Sequence, residues 1–253
     1  MLRIGISGCN GAMGRILTQV IGKMEDAQIV LGIDRNTNLY NNKYPAYESA
    51  SKVDIDCDVV IDFSNPSNLD ELLKFCVEKK IGIVIATTGL SKEQEEKIQE
   101  TSKYIPIFKS SNTSLGINVL IDLVKKAANV LSDTFDIEII EKHHNKKVDA
   151  PSGTAYMIAN AMNEELNNSM EYNYGREGND SKRNDKEIGI HAVRGGTIPG
   201  EHTVIFAGMD EIIEIKHTAL SKSIFAEGAV KAAKYIANKE AKLYYMDNLI
   251  NNN

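Results

Sequence analysis

The chain of 253 residues has room for one large domain or two of roughly 100–150 residues each, and its 42% hydrophobic and 25% charged residues exclude a disordered chain. Its net charge of −6 argues against a general nucleic-acid binder, and its three cysteines, which lack Cys-x-x-Cys spacing, argue against a disulfide framework or a structural zinc site. No apolar run approaches the roughly 20 residues of a membrane span, and the first residues show no signal-peptide core, so we expect a cytoplasmic protein.

The first half of the chain alternates short apolar runs with helical patterns. Strands are predicted at Leu2–Ser7, Gln28–Asp34, Asp58–Phe63, Ile81–Thr87 and Ile105–Phe108, and helices at Gly14–Met24, from near Pro66, and at Ser91–Thr101. Ser64 or Asn65 is predicted to cap the second helix, and Ser91 the third. This alternation predicts a Rossmann-type, doubly wound parallel sheet with helices on both faces.

The pattern changes after Ser110. Helices are predicted at Gly116–Leu131, Gly153–Asn167 and Ser223–Asn238, and strands at Phe135–Glu141, Ile188–Val193, Thr203–Ala207 and Glu211–His217. The polar stretch Asn167–Lys186 is predicted to be a long loop, of the kind that often serves as a lid or binding loop. The closely spaced strands and glycine turns predict a second, α+β domain with a mixed sheet.

A glycine-rich loop, Gly8-Cys9-Asn10-Gly11-Ala12-Met13-Gly14, joins the first strand to the first helix. Such glycines allow a tight turn and close approach to a pyrophosphate, which the helix N-terminus then binds. Asp34 ends the second strand, where a carboxylate accepts hydrogen bonds from ribose hydroxyls, and Arg35 offers a partner to a 2′-phosphate. Glycines at this spacing also occur in ordinary turns, but the order strand, loop, helix, strand and acid predicts a site for NADH or NADPH, with NADH favoured.

Small hydroxyl residues follow two later strands of the same predicted sheet. Thr87-Thr88-Gly89 comes after one strand and Ser110–Thr113 after the next. Ligands bind outside the carboxyl ends of parallel strands, so both segments are candidates to line the nicotinamide side of the site. Taken by itself, Thr87-Thr88-Gly89 is better explained as a plain turn with a helix cap, and Ser110–Thr113 is open to the same alternative.

The segment Glu141–Thr154 concentrates two of the five histidines, three lysines and a Pro-Ser-Gly-Thr turn at a predicted helix start. Histidine titrates near neutral pH, lysine attracts an anionic substrate or donates a proton, and the helix start forms a cradle for a carboxylate or phosphate. A zinc site is disfavoured because neighbouring strand residues point to opposite faces and no Cys/His set completes it. A solvated charged loop is the other alternative.

The pattern Glu-x-His-His-x-x-Lys-x-Asp-Ala-Pro-Ser-Gly-Thr-Ala, from Glu141 to Ala155, closely resembles the signature of the 4-hydroxy-tetrahydrodipicolinate reductase (dihydrodipicolinate reductase) family of lysine and diaminopimelate biosynthesis. Further motifs of that family are matched at Gly8–Gly14, Thr87–Gly89, Arg194–Gly196, Gly200–Val204 and Phe225–Ala229. The resemblance therefore covers nearly the whole chain.

The resemblance implies that NADH or NADPH delivers hydride to C4 of a cyclic imine dicarboxylate, that a proton is added at C3, and that the product is tetrahydrodipicolinate. It implies that His143 is the proton donor/acceptor and Lys147 a proton donor. It also implies that His144, Gly153 and Thr154 hold a substrate carboxylate, which fits the need of a dicarboxylate for cations and N–H donors.

The resemblance also implies which residues bind the cofactor and how many copies of the chain assemble. We expect no bound metal, no nucleic-acid partner and no membrane partner. The implied cofactor-binding residues are Gly8, Cys9, Asn10, Gly11, Ala12, Met13, Asp34, Arg35, Ala86, Thr87, Thr88, Ser110, Ser111, Asn112 and Thr113. Residues 1–113, completed by 222–253, are the expected dinucleotide-binding domain, and residues 114–221 the expected substrate-binding and oligomerisation domain of a homotetramer.

The chain departs from the family pattern at several positions, including the loop Asn167–Lys186, which matches only through Gly175–Gly178, and two rival functions stay open. Thr113 stands where many members have Phe, and Lys222 where Arg is frequent. The rivals are another two-domain dehydrogenase, such as an aspartate or homoserine dehydrogenase, and a non-catalytic nicotinamide sensor. Of the other histidines, His191, His202 and His217 are predicted to be structural, with His202 the best candidate for an exception because it lies in a family motif.

Overall fold

The computed structural model describes residues 1–251, so the last two residues of the predicted 222–253 segment lie outside the described chain. The chain separates into two compact units. The first unit comprises Met1–Leu115 together with the segment from Lys222 onward, and the second unit comprises Gly116–Ser221.

Strands and helices largely alternate up to Glu165, and four strands between residues 171 and 218 then follow one another without an intervening helix. The strands are β1 (Leu2–Ser7), β2 (Ala27–Ile33), β3 (Ala46–Tyr47), β4 (Val59–Asp62), β5 (Gly82–Ile85), β6 (Ile107–Lys109), β7 (Asp136–His143), β8 (Glu171–Asn173), β9 (Glu187–Arg194), β10 (Glu201–Ala207), β11 (Ile212–Thr218) and β12 (Leu243–Tyr244). The helices are α1 (Ala12–Ile21), α2 (Leu69–Lys79), α3 (Lys92–Thr101), α4 (Leu115–Leu131), α5 (Gly153–Glu165), α6 (Ser223–Ile236) and α7 (Met246–Ile250). Within residues 1–251, no helix is both long and apolar enough to cross a membrane.

The first unit is built on a parallel sheet with the order β12-β6-β5-β4-β1-β2-β3. Its central strands are buried on both faces, which explains why β4 reads as a continuous apolar run rather than an alternating one. Ile61 belongs to a core that includes residues of α1 and α6, whereas Val60 belongs to a core that includes residues of α2 and Ile98 of α3. The predicted doubly wound parallel sheet is therefore confirmed.

The first residues of several helices are set by side chains and turns within a few positions of the helix start. Ser91 caps α3 in a reciprocal capping box with Gln94, as predicted. Asn65 accepts the backbone N–H of Ser67, but Pro66 opens a short 3₁₀ turn, and α2 begins only at Leu69. The helix after the glycine loop begins at Ala12, two residues before the predicted start.

The second unit contains the mixed five-stranded sheet that the sequence predicts, in the order β11-β10-β7-β9-β8. β10 pairs antiparallel with β7 and β11, whereas β9 pairs parallel with β7 and β8. Helices α4 and α5 contribute residues to one core with the inward side chains of β7, β9 and β10. The alternation along β7 buries Glu141 and His143 on the same face as Ile137 and Ile139.

The prediction of an unstructured loop from Asn167 to Lys186 is wrong at β8. Three residues of this stretch pair with β9, and the side chain of Asn163 bonds the backbone N–H and C=O of Met170 just before them. A polar strand of three residues has no hydrophobic periodicity, so only its pairing partner reveals it. The edge strands β3 and β12 have two residues each, which is too short for a periodic pattern to predict them.

Helix α6 packs against the segment that follows β6 in the first unit. A Cβ atom at Gly228 would lie 1.7 Å from the carbonyl oxygen of Thr113, so only glycine permits this approach. The hydroxyl of Thr113 donates a hydrogen bond of 2.7 Å to the carbonyl oxygen of Phe225. These contacts attach the C-terminal segment to the first unit.

Candidate active site

The glycine loop after β1 has a shape that side chains would block. Gly8 has a φ of +78°, and a Cβ there would lie 2.8 Å from the carbonyl oxygen of Phe63. A Cβ at Gly14 would lie 2.2 Å from the carbonyl oxygen of Gly8. Within the described chain, no side chain caps α1 at Gly11 and its first turn holds no acidic residue. The loop and helix start therefore have the form of an anion-binding dinucleotide turn.

Gly14→Ala is expected to destabilise the first unit, because the new methyl group overlaps backbone atoms that cannot move aside cheaply. Overpacking of this kind typically costs about 1–3 kcal/mol, and a clash with backbone lies at the upper end or beyond. The matched control is Gly195→Ala, since a Cβ at Gly195 meets nothing within 4 Å among residues 1–251. Urea unfolding of both variants measures the difference, and equal midpoints would contradict the expectation.

Asp34 is fixed at the end of β2, as the sequence predicts for a ribose-binding carboxylate. Its Oδ2 accepts the backbone N–H of Asn10 at 3.1 Å, and its Oδ1 accepts that of Asn36 at 2.9 Å. Asp34 and Arg35 line a cavity of about 300 Å³ with Ser7 and Glu48. The glycine loop and the acid are thus brought together by a direct hydrogen bond.

Cys9, in the same loop, is fully buried. Burial raises the pKa of its thiol to about 12, and the charge of Asp34 adds to this effect. A thiol with so high a pKa is inert as a nucleophile. The thiol therefore contributes packing rather than reactivity to the loop.

Strand β4 ends in a buried carboxylate, Asp62, which none of the sequence motifs includes. Asp62 accepts a hydrogen bond of 2.7 Å from the hydroxyl of Thr87, and Ser64 donates its backbone N–H to both residues. Burial raises the pKa of Asp62 despite these hydrogen bonds. Asp62 therefore fixes the side chain of Thr87, while Ala86 is buried beside it and Thr88 is exposed.

The segment after β6 folds into a compact turn. The hydroxyl of Ser110 donates to the carbonyl oxygen of Asn112, and the amide oxygen of Asn112 accepts the backbone N–H of Ser114. Ser111 is exposed, whereas Asn112 and Thr113 are buried. The hydroxyl of Thr113 bonds to α6, so of this segment Ser111 is the most accessible.

In the second unit, the last residues of β7 and the start of α5 form one polar cluster. The ring Nδ1 of His143 lies 2.6 Å from Oε2 of Glu141. The guanidinium of Arg194, on β9, donates to both carboxylate oxygens at 2.7 Å, and the backbone N–H of Ser152 donates to Oε1 at 2.9 Å. Burial alone raises the pKa of Glu141, but these hydrogen bonds outweigh it, and the pKa is lowered.

The loop between β7 and α5 carries the second predicted proton donor. The ammonium of Lys147 bonds both carboxylate oxygens of Asp149, at 2.7 and 2.9 Å, and its side chain is 20% exposed. This hydrogen bond is the main cause of the lowered pKa of Asp149. The backbone N–H of Lys147 donates to the carbonyl oxygen of His144, so a turn holds these two residues together.

Helix α5 begins at the predicted carboxylate cradle. Ser152 is its N-cap, and the serine hydroxyl accepts the backbone N–H of Ala155 at 3.2 Å. Gly153 is exposed and Thr154 half-buried in a first turn that contains no acidic residue within the described chain. The N-terminal end of α5 is thus favourable for an anion.

His202, on β10, supports this cluster from within the core. Its Nε2 lies 3.0 Å from the hydroxyl of Ser152, and its ring meets that of His143 edge-on at 5.2 Å between centroids. Burial, assisted by the charge of His143, lowers the pKa of His202 to about 4. His202 is therefore neutral at neutral pH and takes part in the cluster through packing and one hydrogen bond.

The low pKa of His202 predicts a loss of stability in mild acid. The unfolded chain binds the proton near pH 6.5 but the folded chain only near pH 4, so stability is complete above pH 6.5 and falls between these values. The full effect is about 3 kcal/mol from the shift of pKa. Urea unfolding between pH 7 and 5 should show a shallower pH dependence in His202→Gln than in the wild type. His191→Gln is the control, and equal slopes in the wild type and His202→Gln would contradict the prediction.

Comparisons with known proteins decide the family. A family model described as "Dihydrodipicolinate reductase, N-terminus" matches residues 2–113, and one described as "Dihydrodipicolinate reductase, C-terminus" matches residues 116–250. The chain belongs to the dihydrodipicolinate reductase family. Members of this family are oxidoreductases that use NADH or NADPH, and the family predicted from the sequence is confirmed.

Similar full-length proteins agree with this membership. Proteins named 4-hydroxy-tetrahydrodipicolinate reductase from Clostridium tetani and Caldanaerobacter subterraneus are both 51% identical to the chain, and each match covers 99% of the chain and 98% of the relative. The dipicolinate-bound dihydrodipicolinate reductase from Paenisporosarcina sp. TG-14 has the same fold, with a TM-score of 0.82 at 23% identity over 99% of both chains. An amine dehydrogenase from Mycobacterium smegmatis is more distant, with a TM-score of 0.64 at 10% identity over 97% of this chain and 95% of that one.

Each unit contains polar residues beside its candidate site to which the sequence motifs assigned no role. They are Asp62 in the first unit, and Glu141 and Arg194 in the second. For Glu141 a signal was present, since residues two apart on a strand share a face and Glu141 precedes His143 by two. For Asp62 the only hint was an acid ending an apolar strand. Among residues 1–251, no group of three or more His, Cys, Asp or Glu side chains could hold a metal ion.

Proposed function

We propose that this chain reduces 4-hydroxy-tetrahydrodipicolinate to tetrahydrodipicolinate with NADH or NADPH in lysine and diaminopimelate biosynthesis. The observation that carries the proposal is the cluster of His143, Lys147 and the N-terminus of α5 within one short segment of the second unit. The name carried by its relatives supplies the substrate. A dicarboxylate requires cations and N–H donors, and this segment provides both.

His143 is proposed as the proton donor/acceptor and Lys147 as a proton donor, so that a proton reaches C3 of the substrate ring. His144 and the first-turn residues Gly153 and Thr154 are proposed to hold a substrate carboxylate, because the helix dipole and the half-buried imidazole favour an anion there. Positive charge at this position also stabilises the negative charge that develops on the ring during reduction.

The first unit is proposed to bind the dinucleotide. A reduced nicotinamide supplies the hydride, which is assigned to C4 of the substrate. The glycine loop fits this role because a side chain at Gly8 or Gly14 would fill the turn, and the carboxylate of Asp34 lies within hydrogen-bonding distance of that loop. The proposed contacts are Gly8, Cys9, Asn10, Gly11, Ala12, Met13, Asp34, Arg35, Ala86, Thr87, Thr88, Ser110, Ser111, Asn112 and Thr113.

The two charges after β2 predict how the cofactors are used. Asp34 opposes a 2′-phosphate and Arg35 attracts one, so we expect both cofactors to work with NADH favoured. Arg35→Ala should lower kcat/KM for NADPH by about tenfold, the worth of one charge-assisted hydrogen bond, and change that for NADH little. Steady-state kinetics with both cofactors measures this, NADH serving as the internal control. Equal losses with both cofactors would contradict the assignment of Arg35.

The proposed assembly is a homotetramer joined through the sheet of the second unit, as the family resemblance implies. The edge strand β11 supports an interface there, since Ile212 and Ile213 are exposed on it. Light scattering coupled to size exclusion measures the mass of the assembly, and a monomer at micromolar concentration would contradict it.

The experiment that tests the activity forms the substrate in situ from pyruvate and aspartate semialdehyde with the preceding synthase. Oxidation of NADH or NADPH is followed by absorbance, with the synthase omitted as the control. We expect oxidation that depends on the synthase. A folded protein that binds the dinucleotide but oxidises neither cofactor would contradict the proposal and favour a nicotinamide sensor.

A further inference from the structure

The carboxylate of Glu141 is the centre of the polar cluster in the second unit. The residue is fully buried, and four hydrogen bonds reach its two oxygens. One oxygen faces the ring of His143 and one nitrogen of Arg194, and the other faces the second nitrogen of Arg194 and the backbone N–H of Ser152. Every neighbour of Oε1 is an obligatory donor, whereas the ring nitrogen of His143 is able to donate or accept.

An ionised carboxylate only accepts hydrogen bonds, so the ring nitrogen that faces it must carry the proton. Arg194 supplies the counter-charge that keeps Glu141 ionised in a buried place. In neutral His143 the proton is therefore on Nδ1, and Nε2 is left with its lone pair. This leaves Nε2 as the atom that takes up and releases the proton.

The surroundings of Nε2 agree with a reactive role for that nitrogen. A Cβ atom at Gly200 would lie 3.2 Å from Nε2, so the glycine leaves space beside it. The ring of His202 contacts the ring of His143 edge-on and is neutral at neutral pH. The ring is thus held by Glu141 on one side and His202 on another, with Gly200 beside Nε2.

We propose that Glu141, held in place by Arg194, is a positioning residue that fixes the tautomer and orientation of His143 and aligns it with the start of α5. The inference rests on the proposed function for the role of His143, but the tautomer itself is a property of the unliganded protein. Through the bond to Ser152, the same carboxylate sets the proton donor and the proposed carboxylate cradle at a constant separation.

The substitution Glu141→Gln has an outcome that the hydrogen-bond pattern determines. At the position of Oε1, the amide nitrogen of glutamine would face two groups that can only donate, the backbone N–H of Ser152 and one nitrogen of Arg194. At the position of Oε2 it would face one such group, the other nitrogen of Arg194, and the ring nitrogen of His143, which is able to accept. The amide nitrogen should therefore turn toward His143 and donate to Nδ1. This would move the proton of the neutral ring to Nε2, the opposite tautomer.

The test is a long-range ¹H–¹⁵N spectrum of protein labelled with ¹⁵N-histidine at pH 8, with the His143 signals assigned by their absence from His143→Gln. We expect the Nδ1–H tautomer in the wild type and the Nε2–H tautomer in Glu141→Gln. In the coupled assay, Glu141→Gln should lower kcat by at least about tenfold, as loss of an orienting partner does elsewhere, with the KM for NADH unchanged.

Glu138→Gln is the matched control, because Glu138 lies on the same strand and also bonds a histidine and arginines, but on the opposite face. It should keep the Nδ1–H tautomer of His143 and most of kcat, whatever its effect on stability. An Nε2–H tautomer in the wild type overturns the proposal even if Glu141→Gln does not fold, and so does an unchanged tautomer in folded Glu141→Gln. Failure of the proposed function would instead leave the tautomers as expected, with the wild type inactive in the coupled assay.

Discussion

His143→Ala is expected to lower kcat by about 10²–10⁴-fold, the usual contribution of a positioned general acid or base. The Kd for NADH should change little, because the dinucleotide is proposed to bind the first unit and His143 lies in the second. Stopped-flow or steady-state absorbance measures the rate, and fluorescence titration of NADH measures binding.

The matched control for this prediction is His191→Ala. His191 also bonds a glutamate at 2.7 Å, but on the other face of the same sheet, so its loss removes a hydrogen bond without reaching the proposed site. If His191→Ala lost as much activity as His143→Ala, the effect would be structural. Full turnover in folded His143→Ala would exclude His143 as the proton donor.

Lys147→Met is expected to reduce kcat by about 10²-fold or more and to raise the KM of the substrate, because one cation is removed from a site proposed for a dicarboxylate. Methionine keeps the length of the apolar stem and removes only the charge and the proton. NADH binding should be unchanged. The coupled assay and a fluorescence titration measure the two properties separately.

Lys146→Met is the neighbouring control, since Lys146 is exposed in the same turn. It should retain most of the activity, because a solvent-screened charge contributes little. Weaker NADH binding with intact turnover in Lys147→Met would move Lys147 to the cofactor site and contradict its assignment.

The contacts of Lys147 indicate that replacing it removes a charge but has little effect on the stability of the folded protein. Among residues 1–251, its ammonium bonds only Asp149, which is largely exposed. The dicarboxylate proposed as substrate would compete with Asp149 for the same ammonium, and the pair with Asp149 holds the ammonium of Lys147 in the unliganded protein. The stability of Lys147→Met should accordingly lie close to that of the wild type.

Local sequence was sufficient to predict the parts of the structure that depend on residues close together in the chain. Continuous apolar runs predict the buried parallel strands β1, β4 and β5, since residues buried on both faces cannot alternate. The capping box at Ser91 and the glycine turn before α1 depend on groups within a few residues of each other. Family membership likewise followed from contiguous motifs.

Tertiary structure decided what depends on groups far apart in the chain. The hydrogen bond between Asp62 and Thr87 spans 25 residues, that between Glu141 and Arg194 spans 53, and that between Ser152 and His202 spans 50. Several of these residues lie in recognisable motifs, but no local pattern shows which distant residue each of them bonds. Strand pairing and helix packing exclude water from these pairs, and burial then gives each hydrogen bond its weight and lowers the pKa of His202.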